Sequence, residues 1–174
     1  MKKVIISVGI PGSGKTTVLK EFADRYGYSY ISPDDIRIEM LGDITDQSKN
    51  KEIAEEVRKR TRDFLDIGET VVVDTVFINA KGRKDFLDFA RKSGAEKIQG
   101  IVFDVPVEVA KERNRKRVDH QVPDSIIERT AAELEDTKPE IADGFDSIHT
   151  LDEYQKLIET EIRKGETSIK KGLR

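Results

Sequence analysis

Gly9-Ile10-Pro11-Gly12-Ser13-Gly14-Lys15-Thr16 decides how the rest of the chain is read. The stretch is Gly-x-x-x-x-Gly-Lys-Thr, placed directly after the apolar run Val4-Ile5-Ile6-Ser7-Val8 and directly before a segment with helical spacing. Its glycines let the backbone curl so that successive N–H groups point inward, making an anion nest that needs no side chain. The loop then opens into a helix N-terminus, where unpaired N–H groups and the helix dipole favour negative charge. In that setting Lys15 reaches the β- and γ-phosphates of a nucleotide, and the Thr16 hydroxyl ligates Mg²⁺. The expectation is a site for ATP or another nucleoside triphosphate formed by Gly12, Ser13, Gly14, Lys15, Thr16 and Thr17. Chance supplies such a match in a chain of this length with a probability on the order of 1%. A mere surface turn would leave the Lys-Thr pair unexplained.

Outward from the loop, strand-like and helical patterns alternate. Strand-like runs fall at Lys3 to Val8, Tyr28 to Ile31, Thr70 to Asp74, Ile98 to Val105 and, more weakly, Ser147 to Leu151. The first helix begins at the loop, with Val18, Leu19, Phe22 and Ala23 on one stripe. Further helical spacing occupies Pro33 to Leu41, Asn50 to Ile67, Ala80 to Lys92, Val107 to Arg117 and Pro123 to Glu135. This alternation predicts an α/β fold, a parallel sheet flanked by helices on both faces. Active residues then belong at the carboxyl ends of the strands.

At 174 residues and 36% hydrophobic, the chain has room for one packed domain and not two. The segment from Arg163 to Arg174, rich in Lys, Gly and Ser, reads as a flexible tail. With no cysteine, disulfide scaffolds and thiolate metal sites are excluded. The apolar runs are strand-sized and no leader precedes the loop, so the expectation is a soluble cytoplasmic protein without membrane contact. A net charge of −3 gives no global attraction to nucleic acid, and any polyanion must meet a local basic patch.

Each strand end carries chemistry. In Ser32-Pro33-Asp34-Asp35-Ile36-Arg37, Ser32 suits an N-cap, Pro33 the first helical residue and Asp35 the acidic partner of a capping box. Asp34 and Arg37, three apart, share one face of the first turn. They are either a helix-dipole carboxylate with its local ion pair or a base that accepts a proton from an attacking hydroxyl. Val71-Val72-Val73-Asp74-Thr75 ends an apolar run in aspartate, as a Mg²⁺-orienting acid does, although Asp also suits plain turns. Asn79 and Arg83 are acceptor contacts or, equally, a cap and a solvated arginine. Lys111-Glu112-Arg113-Asn114-Arg115-Lys116-Arg117 is the densest charge in the chain. Within a helix Arg113 and Arg117 would be i,i+4 neighbours, which repel unless an anion lies against them. The run is a solvated face or a lid, at about residues 107–122, that brings arginines to a transferred phosphoryl group.

GIPGSGKT, SPDDIR, VVVDT, VFDVPVEVAKERNRKR and VPDSII together resemble the 5′-hydroxyl polynucleotide kinase domain of phage and related end-healing enzymes, from Lys2 to about Ile127. The phosphate loop is widely shared; Ser-x-Asp-x-x-Arg with Phe-Asp-Val-Pro and the Lys-x-Arg-Asn-x-Lys-Arg segment is more selective. The resemblance implies a P-loop kinase with a helical lid that transfers the γ-phosphate of ATP, with Mg²⁺, to the 5′-hydroxyl of DNA or RNA. It implies Lys15 and Thr16 on the donor phosphates and metal, Asp34 as general base and Arg37 on the acceptor phosphate. Asp74 and Thr75 match a pair that organises the acceptor site, a role that competes with metal binding for Asp74. Arg113 and Arg117 match lid arginines, with Arg117 on the γ-phosphate. The chain departs from the pattern at Val76-Phe77-Ile78-Asn79, where the family is shorter and more polar. It also lacks the Asp-x-Asp-Gly-Thr motif of a companion 3′-phosphatase, so a free-standing kinase is expected. The competing expectation is a kinase of a small-molecule hydroxyl on the same scaffold.

Overall fold

A computed structural model describes the backbone of residues 1–172 and the side chains of residues 1–164. In chain order the elements are β1 (Lys3–Val8), α1 (Lys15–Tyr26), β2 (Ser29–Ile31), α2 (Pro33–Leu41), α3 (Asn50–Asp66), β3 (Val71–Val73) and α4 (Ala80–Lys92). They continue with β4 (Lys97–Val102), α5 (Val107–Arg115), α6 (Asp124–Asp136), a 3₁₀ turn (Ile141–Asp143), β5 (Ser147–Thr150) and α7 (Leu151–Gly172). The five strands form one sheet in the order β2-β3-β1-β4-β5, every pair parallel. β1 is central because it is apolar on both faces, and alternation splits its side chains between two layers. Val4, Ile6 and Val8 pack with Val71, Val73 and the apolar stripes of α3 and α4. Ile5 turns the other way, towards Leu19 and Phe22 of α1 and Tyr154 and Ile158 of α7. The parallel sheet flanked on both faces is thus as the alternation predicts.

Several boundaries differ from the sequence reading, each for a local reason. β4 stops at Val102, and Phe103 to Pro106 form the connection into α5, whose N-cap is Pro106. α5 stops at Arg115 and not at Arg117, with Lys116 as its C-cap. Arg113 and Arg117 are therefore not stacked on one helix. Where a flexible tail is expected, α7 continues as helix to Gly172, while 173–174 lie outside the described residues. α7 is anchored by Tyr154 and Ile158, an i,i+4 pair buried against the sheet, and Tyr154 donates from its hydroxyl to Gln99 Oε1 at 3.3 Å. None of the described helices is long and apolar enough to cross a membrane.

Candidate active site

The loop of residues 9–16 runs from the carboxyl end of β1 into α1. Gly12 and Gly14 take φ of +81° and +91°, a region costly for any side chain. A Cβ on Gly12 would also lie 2.3 Å from the carbonyl oxygen of Ala110, so α5 rests on the bare backbone of the loop. Gly14 caps α1 with no side-chain hydrogen bond, which leaves the first N–H groups of that helix open to an anion. Lys15 is buried at the loop's centre. Its Nζ donates to the carbonyls of Gly9 and Ile10 at 2.8 Å and to Ser13 Oγ at 3.3 Å. Burial pulls its pKa down to about 8, against which the nearby Asp74 charge works; Arg117 and Asp34 are the other charges it feels. Asp74 and Asp34 come from the segments that follow β3 and β2 and Arg117 from the loop after α5, so charged groups from three parts of the chain converge on this ammonium.

A cleft of about 900 Å³ opens over the loop. Gly12, Gly14, Lys15, Thr16 and Thr17 form its floor, Asp34 and Arg37 one wall, Asp74 and Thr75 the back, and Arg113 and Arg117 the far rim. Three residues expected at the site are absent from it: Ser13, Arg83 and Asn79, which caps α4 by accepting from the Gly82 N–H at 3.1 Å. Ser13 is buried beneath the loop, where its hydroxyl braces Lys15 and its carbonyl accepts from Arg113 Nη1 at 3.3 Å. Arg83, expected to touch substrate or solvent, does neither. It is fully buried, with Nε bonded to Asp143 Oδ2 at 2.9 Å, Nη1 to the Phe77 and Ile78 carbonyls, and Nη2 to the Thr137 carbonyl. Charge buried with so complete a set of partners is a structural tie. It secures Phe77 at φ +40°, an unusual backbone for a bulky residue, in the connection that follows Thr75.

On the wall, the Ser32 hydroxyl accepts from the N–H groups of Asp34 and Asp35, fixing the first turn of α2. Asp35 does not close a capping box; its carboxylate pairs with Lys20 of α1 at 3.3 Å. Asp34 is left half exposed towards the cleft and receives Arg37 Nη1 at 2.7 Å. Arg37 is only 9% exposed; its Nη2 donates to Asn50 Oδ1 at 3.1 Å, and its buried Nε has no hydrogen-bond partner. At the back, Asp74 Oδ2 accepts from Thr16 Oγ1 and from the Tyr30 hydroxyl, both at 2.6 Å. Burial, then the Asp74 charge, push the Tyr30 phenol well above its ordinary pKa. No cluster of three or more metal-ligating side chains occurs among the described residues. A hydroxyl touching one carboxylate beside a phosphate loop is nonetheless the sparse oxygen set that suits Mg²⁺, which takes most of its ligands from phosphates and water.

On the rim, Arg117 lies beyond the end of α5 and is gripped by Asp119, Nε to Oδ1 at 3.1 Å and Nη2 to Oδ2 at 2.8 Å. That contact raises the Arg117 pKa and holds the Asp119 carboxyl well below the usual range. The loop after α5 is shaped by Asn114, which is buried and clasps Val122 by both its N–H and its carbonyl. Asn114, Asp119, His120, Gln47 and Ile44 are site or lid residues that sequence reasoning missed. For Asn114 the signal was a polar residue on the inner face of a charged helix. The others sit in irregular loops with no local pattern.

A parallel sheet with this loop at its central strand, facing an acid, an arginine and a two-arginine rim, defines a P-loop kinase whose phosphate donor is a nucleotide. The profile of the AAA_33 family, an AAA domain, matches residues 4–138, and the chain belongs to that family. A protein of Acanthamoeba polyphaga mimivirus bearing the name bifunctional polynucleotide phosphatase/kinase is 27% identical over 116 residues, 67% of this chain and 24% of the viral one. A Thermococcus gammatolerans protein bearing the name adenylate kinase is 40% identical over 81 residues, 44% of this chain and 45% of its own. Among solved structures, a chain of the Pnkp1/Rnl/Hen1 RNA repair complex superposes with a TM-score of 0.71 at 28% identity, covering 78% of this chain and 45% of that one. The chain thus spans a quarter to a half of the length of these relatives.

Proposed function

We propose that the protein transfers the γ-phosphate of ATP to the 5′-hydroxyl of a polynucleotide. One observation carries the acceptor half: the Arg37 guanidinium, fixed by Asp34 and Asn50, lines the cleft beside the Asp34 carboxylate. A guanidinium fixed at the wall of such a cleft suits an anionic acceptor. A nucleic-acid end supplies a phosphate one sugar away from its terminal hydroxyl, and a neutral sugar does not. Kinship with proteins named for polynucleotide kinase and RNA repair points the same way.

In this reading the open N–H groups of α1 and the Lys15 ammonium take the β- and γ-phosphates. Arg113 and Arg117 close from the rim on the charge that spreads over the transferred group, Arg117 exchanging Asp119 for phosphate. Thr16 and Asp74 are the residues that would hold Mg²⁺, which when bound neutralises charge between the β- and γ-phosphates. Asp34 orients the acceptor hydroxyl and accepts its proton. A bond forms from the acceptor oxygen to Pγ, the bond from Pγ to the β–γ bridging oxygen breaks, and ADP leaves.

Kinship with a protein named for adenylate kinase favours a second reading, transfer to a small acceptor such as AMP. Labelled ATP offered to 5′-hydroxyl DNA, 5′-hydroxyl RNA, AMP and neutral sugars separates the two. The expected outcome is label on the oligonucleotides only; label confined to AMP or a sugar overturns the polynucleotide reading. Asp34→Asn is expected to lower turnover by about 10²- to 10⁴-fold with ATP binding retained. Near-native turnover in that variant would remove Asp34 as the base.

A further inference from the structure

Tyr30 belongs to none of the motifs that define the loop, the acceptor wall or the lid, yet its hydroxyl reaches the centre of the site. It is the middle residue of β2, paired in register with Val72, and Ile31 beside it accepts from the Asp74 N–H at 2.8 Å. Strand pairing thus delivers the phenol to the carboxylate that ends β3. Asp74 Oδ2 receives two donors, Tyr30 and Thr16, each at 2.6 Å, a length typical of hydroxyls bonded to an ionised carboxylate. Asp74 Oδ1 takes no hydrogen bond from any described side chain. The ring is held from the other side, since Lys20 Nζ lies 5.4 Å from its centroid and is itself paired with Asp35.

The direction of the Thr16 proton matters here. A hydroxyl that donates to Asp74 turns its lone pairs away from Asp74, and those lone pairs are what it can offer a cation. Asp74 therefore sets the Thr16 rotor only if its own carboxylate is fixed. Tyr30 is the other group that fixes it.

We propose that the Tyr30 hydroxyl is a positioning residue for divalent-cation binding: through Asp74 it locks the Thr16 hydroxyl in the orientation that offers its oxygen to the metal. The proposal rests on Thr16 and Asp74 as the metal side of the kinase site and is independent of the acceptor. Outer partners of this kind set metal affinity by orienting the ligands rather than by touching the ion.

Tyr30→Phe tests it, because the ring stays under Lys20 and only the hydroxyl is lost. Mn²⁺ is titrated by paramagnetic resonance into protein saturated with ADP, and ADP is titrated separately in the presence of EDTA. The expected result is Mn²⁺ affinity weakened about 10- to 100-fold with metal-free ADP affinity changed less than twofold. Asp74→Ala provides the second arm: added to it, Tyr30→Phe should cause no further loss, because no acceptor is left at position 74 and the path is already broken. Native Mn²⁺ affinity in Tyr30→Phe, a parallel loss of metal-free ADP binding, or simple additivity with Asp74→Ala would each overturn the proposal. A native protein that binds ADP but no Mn²⁺ would remove the ligand reading of Thr16 and Asp74, and this proposal with it. Transfer to a small acceptor would overturn only the polynucleotide reading.

Discussion

Two arginines sit one turn into two helices, Arg37 in α2 and Arg83 in α4, and both are buried. Around Arg83 the β3–α4 connection, the end of α6 and the 3₁₀ turn supply an acceptor to every nitrogen. Around Arg37 the partners are Asp34 and Asn50, and Nε has none. Burial alone therefore does not separate a structural cation from a functional one. What separates them is whether the guanidinium also meets the cleft: Arg83 is sealed among protein acceptors and holds the fold together, whereas Arg37 lines the cleft beside Asp34.

The sharpest test of that contrast is stability. Arg83→Met leaves the Asp143 carboxylate, whose side chain is 1% exposed, with the Glu140 N–H at 3.2 Å and Lys84 at 3.6 Å, and orphans the Phe77 and Thr137 carbonyls. Breaking a buried pair in this way is expected to lower unfolding free energy by about 3–5 kcal/mol, read by urea or thermal denaturation. If the variant melts within about 1 kcal/mol of native, Arg83 is no structural tie and the contrast fails. Arg37→Ala should behave oppositely. Asp34 is half exposed and returns to water, so the loss of stability should be smaller than for Arg83→Met and come mainly from the packing of the Arg37 stem. Loss of a charged hydrogen bond to the acceptor should instead lower kcat/KM by about 10- to 150-fold, mainly through the KM for the acceptor. An equal fall in binding of ATP alone would move Arg37 to the donor side.

The same contrast explains what could be read from the residues in order. The phosphate loop, the bounds of α2 and α4, the Ser32 cap and the facing of Asp34 and Arg37 were legible because each depends on neighbours within a turn or two, while Asn79 was legible only as either a cap or an acceptor contact. Arg83 was misread because its partners Thr137 and Asp143 lie 54 and 60 positions along the chain. Tyr30 was passed over for a like reason: its partner is 44 positions away, brought near by strand pairing and not by any motif. α7 carries a weak local signal, the apolar spacing of Tyr154, Leu157 and Ile158 running into a Lys- and Gly-rich end, and its helix is fixed by packing against the sheet. Arg117 fell outside its expected helix because Asn114 bonds forward to Val122 and turns the chain there.

Lys15 is a third buried cation, and it places the smallest test between the other two. Like Arg83 it has acceptors in its own chain, the Gly9 and Ile10 carbonyls; like Arg37 it faces the cleft. Unlike either, it can lose its charge, since burial lowers its pKa to about 8 from 10.5 in the unfolded chain. Between those two values the unfolded state holds the proton more tightly than the folded one, so this group makes stability rise as pH increases through that window. Nucleotide affinity should run the other way, because phosphate needs the ammonium: affinity should fall by up to about tenfold per unit above pH 8. Titration calorimetry of ATP at pH 8.5 in two buffers of different ionisation heat should detect proton uptake in the native protein and none in Lys15→Ala. Affinity that stays flat from pH 7 to 9.5 would mean that carbonyls, not phosphate, are the partners that matter to Lys15, and would group it with Arg83. A falling affinity beside a rising stability would group it with Arg37, as a cation whose acceptors within the chain stand in for a ligand.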